Sequence, residues 1–540
     1  MPYWYLIQTS KESSKKKASL TVMKLTITLR GNRKLCLILL HQNTLHLATL
    51  TKNENQIRSE GISKMKEQVL VKVNVPEVAT KELSLKFSAD GKRKLTISSN
   101  WLPLFSFEKG MKVEERLIGD GEGFTIEPAS VLAAKPKQVY SRTYKRRRNN
   151  PFMETLTETS SQKLLDKALP KFTKKVLVIF EQNKITVKPV VNRLIERVSA
   201  FLRSSAPLTA FSVCSSGVDA SAAHKEGFEL NGVVEYRPNE KRDVSAGRDL
   251  TESGALTFIE NVPVKALFNE DIYEMNPDHI AEVMKHNQSN LLTISLSCDD
   301  FSAAKSGSLR EKSLDDLSTG IDMIYPALKL IERMNFTSVL LEQVVSFGRS
   351  AIGKLWNTAL RRMGYQTYEC EINPSEHGYD GNRPRYFHFA TILRDTPFSW
   401  PTTNVARNES LWERLITKHL PSLRDVTENS AMQKGLTKNH RLRPITPDST
   451  KVPCILKSQS RMAADSVVVM PDPDTVLWPS EALIKEVMGM EDFKLNCVSA
   501  DIASEQIGQA VHRSHYQEII KSVKEHLIRG HSTQSLALGM

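Results

Sequence analysis

Residues 24–133 alternate apolar and polar side chains in short stretches, as in Val69-x-Val71-x-Val73-x-Val75 and Leu83-x-Leu85-x-Phe87. Alternation sends successive side chains to opposite faces, so these stretches predict strands with one face buried. Asp90-Gly91 predicts a turn before Leu95-Thr96-Ile97,. Glycine-bearing turns follow at Phe107–Gly110 and Gly119–Gly123, then a last strand at Phe124-Thr125-Ile126.

From about residue 205 the pattern changes to strands alternating with helical segments. Leu208–Cys214 predicts a buried strand, Asp219–Glu226 a helix and Leu230–Glu235 a second strand. The strand Leu291–Leu296, helix Asp322–Arg333, strand Ser338–Glu342, helix Ala351–Met363, strand Gln366–Ile372 and an Arg383–Thr391 segment follow. That order predicts an α/β, Rossmann-like and mostly parallel sheet, with ligands at the carboxyl ends of its strands. Five regions result: a flexible N-terminus over 1–23, a β-rich domain over 24–133, and a basic linker with connecting helices over 134–204. The larger domain takes 205–393 and 476–530, with a separate region at 394–475. Within the linker, 162–204 reads as a helix, a strand at Lys175–Phe180 and a second helix.

With 540 residues the chain exceeds a single ordinary core,. Its 40% hydrophobic and 25% charged content rules out a wholly disordered or collagen-like polymer,. The formal net charge of +13 is uneven: residues 1–200 carry about +19 and the remainder about −6. Such a split fits a basic, nucleic-acid-facing arm on a near-neutral body. Six cysteines without a CxxC pair argue against a zinc ribbon or disulfide scaffold and for a reducing compartment,. The longest greasy run, Leu35–Leu40, is too short to span a bilayer,. The Tyr3–Ile7 patch precedes the lysines at Lys15–Lys17, the reverse of a secretory signal, and Met23 is a second candidate start,. A cytoplasmic monomer is expected, with no membrane partner and no metal.

Segments in the second half share their order with a known family. Residues 205–525 resemble the cytosine-C5 DNA methyltransferases (Dcm-like). Ser297-Cys298-Asp299-Asp300-Phe301-Ser302 resembles that family's Pro-Cys-Gln-Gly-Phe-Ser, Glu342-Gln343-Val344 its Glu-Asn-Val, and Gly381-Asn382-Arg383-Pro384-Arg385 its Gln-x-Arg-x-Arg. The resemblance implies S-adenosyl-L-methionine as cofactor and a cytosine flipped out of double-stranded DNA as substrate. It makes Cys298 the nucleophile at C6, a role that suits a thiolate because C6 is a poor electrophile. C5 then becomes carbanion-like and takes the methyl group, and loss of the C5 proton releases the cysteine. Glu342 would grip N3 and the exocyclic amine, Arg385 O2, and Arg383 would order the catalytic loop.

The same resemblance places the cofactor on the turn around Cys214, Ser215 and Gly217, with Glu235 on the ribose hydroxyls. Asp271-Ile272 would meet the adenine, and Ala510, within Gln506–Val511, would fold back over the cofactor,. Worn blocks also lie at Trp478–Glu481 and Met488–Met490. The interval 394–475 would then be the target-recognition lobe, contacting DNA through Lys438, Arg441 and Arg443,.

Two basic features extend that expectation. Lys135–Asn150 carries Arg146, Arg147 and Arg148 interleaved with tyrosines, a composition able to neutralise phosphates,. Residues 95–128 resemble swapped-hairpin AbrB-like DNA-binding modules, including the SymE type. Four blocks depart from the family at Ser215, Asp299, Gln343 and Gly381, which leaves a decayed DNA-binding scaffold as an alternative. RNA cytosine methylation by the same chemistry is another. Restriction–modification, protection of a mobile element and regulation all remain compatible with the motif order.

Overall fold

The computed structural model describes the strands at 3–9, 22–29, 33–40, 44–49 and 67–73 by their backbone, and residues 74–538 apart from 132, 134, 143–153, 172, 191–192, 302–306, 316–317, 403–408, 438–440 and the side chains of 142 and 533–538. The chain divides into two compact units, Met1–Asn192 and Arg193–Met540.

In the first unit, Arg93–Ser99 shows strict in-and-out alternation, as its sequence pattern predicts,. The unit's larger sheet runs in the order Lys137–Gln138, Lys112–Gly119, Gly123–Pro128, Lys184–Pro189, Lys175–Glu181, Ala79–Ser84. A second sheet orders Tyr140–Arg142, Glu154–Thr159, Arg93–Ser99, Lys86–Phe87. Leu95, Phe107, Phe124, Val178 and Val187 share one core.

This arrangement corrects two expectations. The interval 134–204 is not a linker with connecting helices alone: it supplies Glu154–Thr159, Lys175–Glu181 and Lys184–Pro189 to these sheets, and only its final helix, Arg193–Arg203, belongs to the second unit. Nor does 95–128 close on itself. Arg93–Ser99 pairs with Glu154–Thr159, whereas the hairpin after it lies beside Lys184–Pro189 in the other sheet. Glu154–Thr159 escaped the sequence reading because its inward positions are threonines. Thr155 donates to the Phe107 carbonyl at 3.3 Å and Thr159 to Glu115 at 2.6 Å, so these polar side chains tolerate burial,.

The second unit is an α/β fold around seven strands: β1 (Thr209–Val213), β2 (Glu229–Val234), β3 (Val264–Phe268), β4 (Leu291–Ile294), β5 (Ser338–Gln343), β6 (Gln366–Ile372) and β7 (Arg385–Thr391). Their order is β3-β2-β1-β4-β5-β7-β6. The first five are parallel, as the strand–helix alternation predicts. β7 runs antiparallel to both β5 and β6 because a short connection joins it to β6, with no crossover helix,. β3 and the helix α2 (Ser253–Asn261) were not legible in the sequence. Fully buried β1, β4 and β5 read as continuous apolar runs, as expected of a sheet covered on both faces,.

Strand order reverses between β1 and β4, so the sheet opens there at its carboxyl edge,. α1 (Val218–Lys225) follows β1 directly, and the long α4 (Arg513–Leu538), reached through α3 (Ala500–Gln509), is tied to α1's end by Gln517 and Lys524 on Glu226. Within 394–475, three short strands (Arg424–Asp425, Arg443–Ile445, Val467–Val469) join Leu477–Trp478 over a small core of Val426, Met432, Val468, Met470 and Val476. No helix among the described residues is long and apolar enough to cross a membrane.

Candidate active site

Past β4 the chain turns across the carboxyl edge of the sheet. Gln343, the last residue of β5, donates to the Leu296 and Ser297 carbonyls at 2.7 and 3.2 Å, which fixes the backbone immediately before Cys298. Phe301 N–H donates to the Cys298 carbonyl at 3.0 Å, closing a tight turn that is anchored by Phe301 packed edge-to-face on Phe347. Asp300 is buried and accepts from Gly320 N–H at 2.7 Å and from the Thr319 and Ser313 hydroxyls. Cys298 is half-buried at the centre of this braced turn. Ser302 lies outside the described residues.

β5 and β7 bring Glu342 and Arg385 together. Arg385 Nε is 2.7 Å from Glu342 Oε1, and its Nη1 donates to the Pro384 carbonyl at 2.9 Å. Burial pushes the Cys298 thiol above its ordinary value; Arg385 and Arg383 pull it down, while Asp299 and Glu342 push it up. The thiol therefore sits within electrostatic reach of the carboxylate and both guanidinium groups. A sulfur, a carboxylate and an arginine converge on one edge of the sheet.

Arg383 differs from Arg385. It is 2% exposed, and it donates to the Ile455 carbonyl at 2.9 Å and to the Gly508 carbonyl at 3.0 Å. These contacts bind the β6–β7 connection to the segment at 452–456 and to the end of α3. The catalytic loop it was expected to order lies in part outside the described residues. Arg383 also places Nη1 3.4 Å from Cys454 Sγ. Cys454 thus stands beside the candidate site, and the sequence reading did not single it out. Burial raises its thiol pKa, but Arg383, Arg385 and Arg443 together hold it below the ordinary value. Only its tertiary neighbours single it out, since nothing in its local sequence differs from that of a structural cysteine.

The switch-point side gathers the remaining candidates. Between β1 and α1 the chain has positive φ at Cys214, Ser216 and Gly217. A side chain at Gly217 would meet the Phe258 backbone at 2.9 Å, so glycine is needed there to seat α2,. Glu235 follows β2, and its Oε2 accepts from the Ser215 and Ser216 amides at 2.8 and 2.7 Å. It is 3% exposed, and burial pushes its carboxyl up to about 7 against the pull of those two hydrogen bonds. The neighbouring acid in α1, Asp219, is pushed up to about 6, also by burial. Burial raises the Cys214 thiol pKa, and Glu235, Asp271 and Asp219 raise it further, which puts these acids around the same turn. Asp271 accepts from Tyr273 N–H at 3.0 Å, and Ile272 is buried. Ala510 caps α3 and is buried, while Gln506 of the same helix accepts from Thr257 in α2 at 3.0 Å.

Of the expected nucleic-acid contacts, Arg146, Arg147, Arg148 and Lys438 lie outside the described residues. Arg441 is exposed. Arg443 is turned inward, donating to the Asp465 carbonyl at 2.7 Å and the Cys454 carbonyl at 2.5 Å. Its Nε and Nη1 brace the lobe and its Nη2 is buried, which turns the guanidinium away from the surface role expected of it.

No family model and no curated protein matches this chain. Among solved structures, the chain is similar to the Entamoeba histolytica methyltransferase EhMeth, with 16% identity and a TM-score of 0.44 over 59% of this chain and 98% of that one. It is similar also to the S. pombe Dnmt2 methyltransferase, with 16% identity and a TM-score of 0.45 over 58% and 98%. A Spodoptera frugiperda DNMT2 mutant gives 16% identity and 0.44 over 59% and 99%.

Proposed function

We propose that this chain is a cytosine-C5 methyltransferase that uses S-adenosylmethionine and acts on duplex DNA. The observation that carries the reading is the convergence of Cys298, Glu342 and Arg385 where the carboxyl ends of β4 and β5 meet the start of β7. The cofactor, when bound, supplies an electrophilic methyl group. Its fit rests on acids at the ends of adjacent strands around a positive-φ turn, acceptors suited to a ribose diol and an adenine amine,. Glu235 and Asp271 would take those two groups, and the turn at Cys214–Gly217 would take the methionine part.

The chain's own residues then act on the base. The Cys298 thiolate attacks C6, while the Glu342 carboxyl shares a proton with N3 and Arg385 donates to O2, so the negative charge that develops in the ring as the carbon–sulfur bond forms meets hydrogen-bond donors. Interactions that strengthen with that charge lower the barrier. Arg383 positions the β6–β7 connection without touching the base.

Incubation with labelled S-adenosylmethionine tests this reading, with duplex DNA in one arm and RNA in the other. Label at C5 of DNA cytosine is expected, together with a covalent adduct on DNA containing 5-fluorocytosine. Transfer to the RNA arm alone would replace the substrate and leave the chemistry in place. A second reading, a nucleic-acid-binding protein on this scaffold without transfer, draws on Asp299 beside the thiol and on the engagement of Glu235 by the turn. Binding of DNA with neither cofactor binding nor adduct would establish it.

A further inference from the structure

We propose that His377, His515 and Glu518 form a binding site for a divalent first-row transition ion of the zinc class, separate from the methyl-transfer chemistry. His515 and Glu518 stand three residues apart in α4 and so share one face of that helix,. His377 ends the short turn Pro374–His377 in the β6–β7 connection and meets them from the other side. Each of the three offers one ligand atom, and these atoms all lie within 4.8 Å of one another. Ligands about 2.1 Å from a tetrahedral ion are about 3.4 Å apart, so modest side-chain rotation would close the set.

An independent observation points to a ligand. His377 Nδ1 and His515 Nε2 are both buried without a hydrogen-bond partner, and His515 is only 2% exposed. A buried ring nitrogen left unpaired costs free energy, and two in contacting rings need an explanation. The imidazoles stand edge-to-face with centroids 4.9 Å apart. Tyr379 donates to Glu518 Oε1 at 2.8 Å, the kind of outer contact that orients a ligating carboxylate,.

Two imidazoles and one carboxylate select against magnesium and calcium, which take oxygen ligands, and favour zinc, cobalt, nickel or iron. The ion would tie the connection that delivers Arg383 and Arg385 to the long helix α4. The sequence did not reveal this set because His377 and His515 come from distant segments and follow no ligand spacing.

The test uses the full chain, stripped with a chelator and titrated with Zn2+ alone and with Co2+ alone. One equivalent of Zn2+ is expected, with a rise in Tm at saturation, since an ion that binds only the folded state stabilises it. Bound Co2+ should show d–d bands without thiolate charge transfer, which separates this site from the cysteines. H377Q, at a half-buried position, should weaken Zn2+ binding at least about 100-fold and remove the Tm gain. E518Q repeats the test if H377Q fails to fold. Absence of Zn2+ binding by the parent, unchanged binding by a folded H377Q or E518Q, or a thiolate-type Co2+ spectrum would each overturn the proposal.

Discussion

Arg385 Nε stands 2.7 Å from Glu342 Oε1, and with both side chains largely buried the pair joins the end of β5 to the start of β7. The antiparallel pairing of these strands makes this possible, since it sets the first residue of one beside the last residues of the other. Glu342→Gln keeps the shape and removes the carboxyl that pairs with Arg385 and, in the proposed reaction, shares a proton with ring N3. Loss of one preorganised group at a developing charge costs about 100- to 1,000-fold in kcat. Single-turnover methylation of duplex DNA by E342Q should show that loss, with DNA affinity largely retained.

The charges around Cys298 predict a pH dependence. In the proposed reaction the thiolate is the attacking species, and burial holds the thiol above its ordinary value, so the rate should rise with pH through neutrality and beyond,. Asp299 contributes to the upward push. D299Q should therefore shift the profile to lower pH and raise the rate at pH 7, whereas R385Q should shift it the other way. Adduct formation on 5-fluorocytosine DNA, measured against pH, reports this step directly. C298S should give no adduct at any pH.

The second unit was largely legible in the sequence, because fully buried parallel strands read as apolar runs bounded by helices. β1, β2, β4 and β5 fall within a few residues of their expected bounds. β3 was hidden because Lys265 interrupts its short apolar run and pairs across the sheet with Glu229 at 2.8 Å. Cys298, Glu342 and Arg385, which the fold gathers at one edge of the sheet, were singled out in the sequence by their motif spacing. Cys454 was not, and Arg443 was misread, because both owe their surroundings to chain segments far away in sequence. Glu154–Thr159 was lost among linker residues because its buried side chains are mostly threonines, of which Thr155 and Thr159 find partners, and composition does not disclose that.

Arg383 tests positioning against chemistry. Its guanidinium satisfies the buried Ile455 and Gly508 carbonyls. Arg383→Ala should leave both acceptors unpaired at a cost of about 1–3 kcal/mol each. Urea unfolding should show that destabilisation, and kcat should fall even at saturating DNA. Arg383→Lys should recover part of the stability and less of the activity, because a single ammonium cannot replace the fork that reaches both segments.

The basic run at 145–148 tests the role of the first unit in DNA binding. If Arg146, Arg147 and Arg148 contact phosphates, replacing all three by alanine should reduce the slope of log affinity against log salt by about 3, at roughly one unit per lost contact. Fluorescence anisotropy with an unmethylatable duplex measures that slope without interference from turnover. An unchanged slope would leave the run without a phosphate contact.

Glu235 links the turn at Cys214–Gly217 to stability. Its folded pKa is about 7 against an ordinary 4.5, so between those values the folded state holds a proton that the unfolded state has lost. Stability attributable to this group is therefore present in full below about pH 4.5 and falls as pH rises toward 7, by roughly 3 kcal/mol. Asp219, at about 6, adds a loss of the same sign in a lower window, and that loss survives substitution of Glu235. E235Q leaves one carbonyl oxygen for the Ser215 and Ser216 amides but has no proton to lose. Its Tm should exceed that of the parent at pH 8, and the advantage should vanish near pH 5. Cofactor affinity should fall in the same variant above about pH 7, where the parent offers a carboxylate, because an amide oxygen is a weaker acceptor for a diol. A variant that gained stability without losing cofactor affinity would remove Glu235 from the binding site while leaving its burial explained.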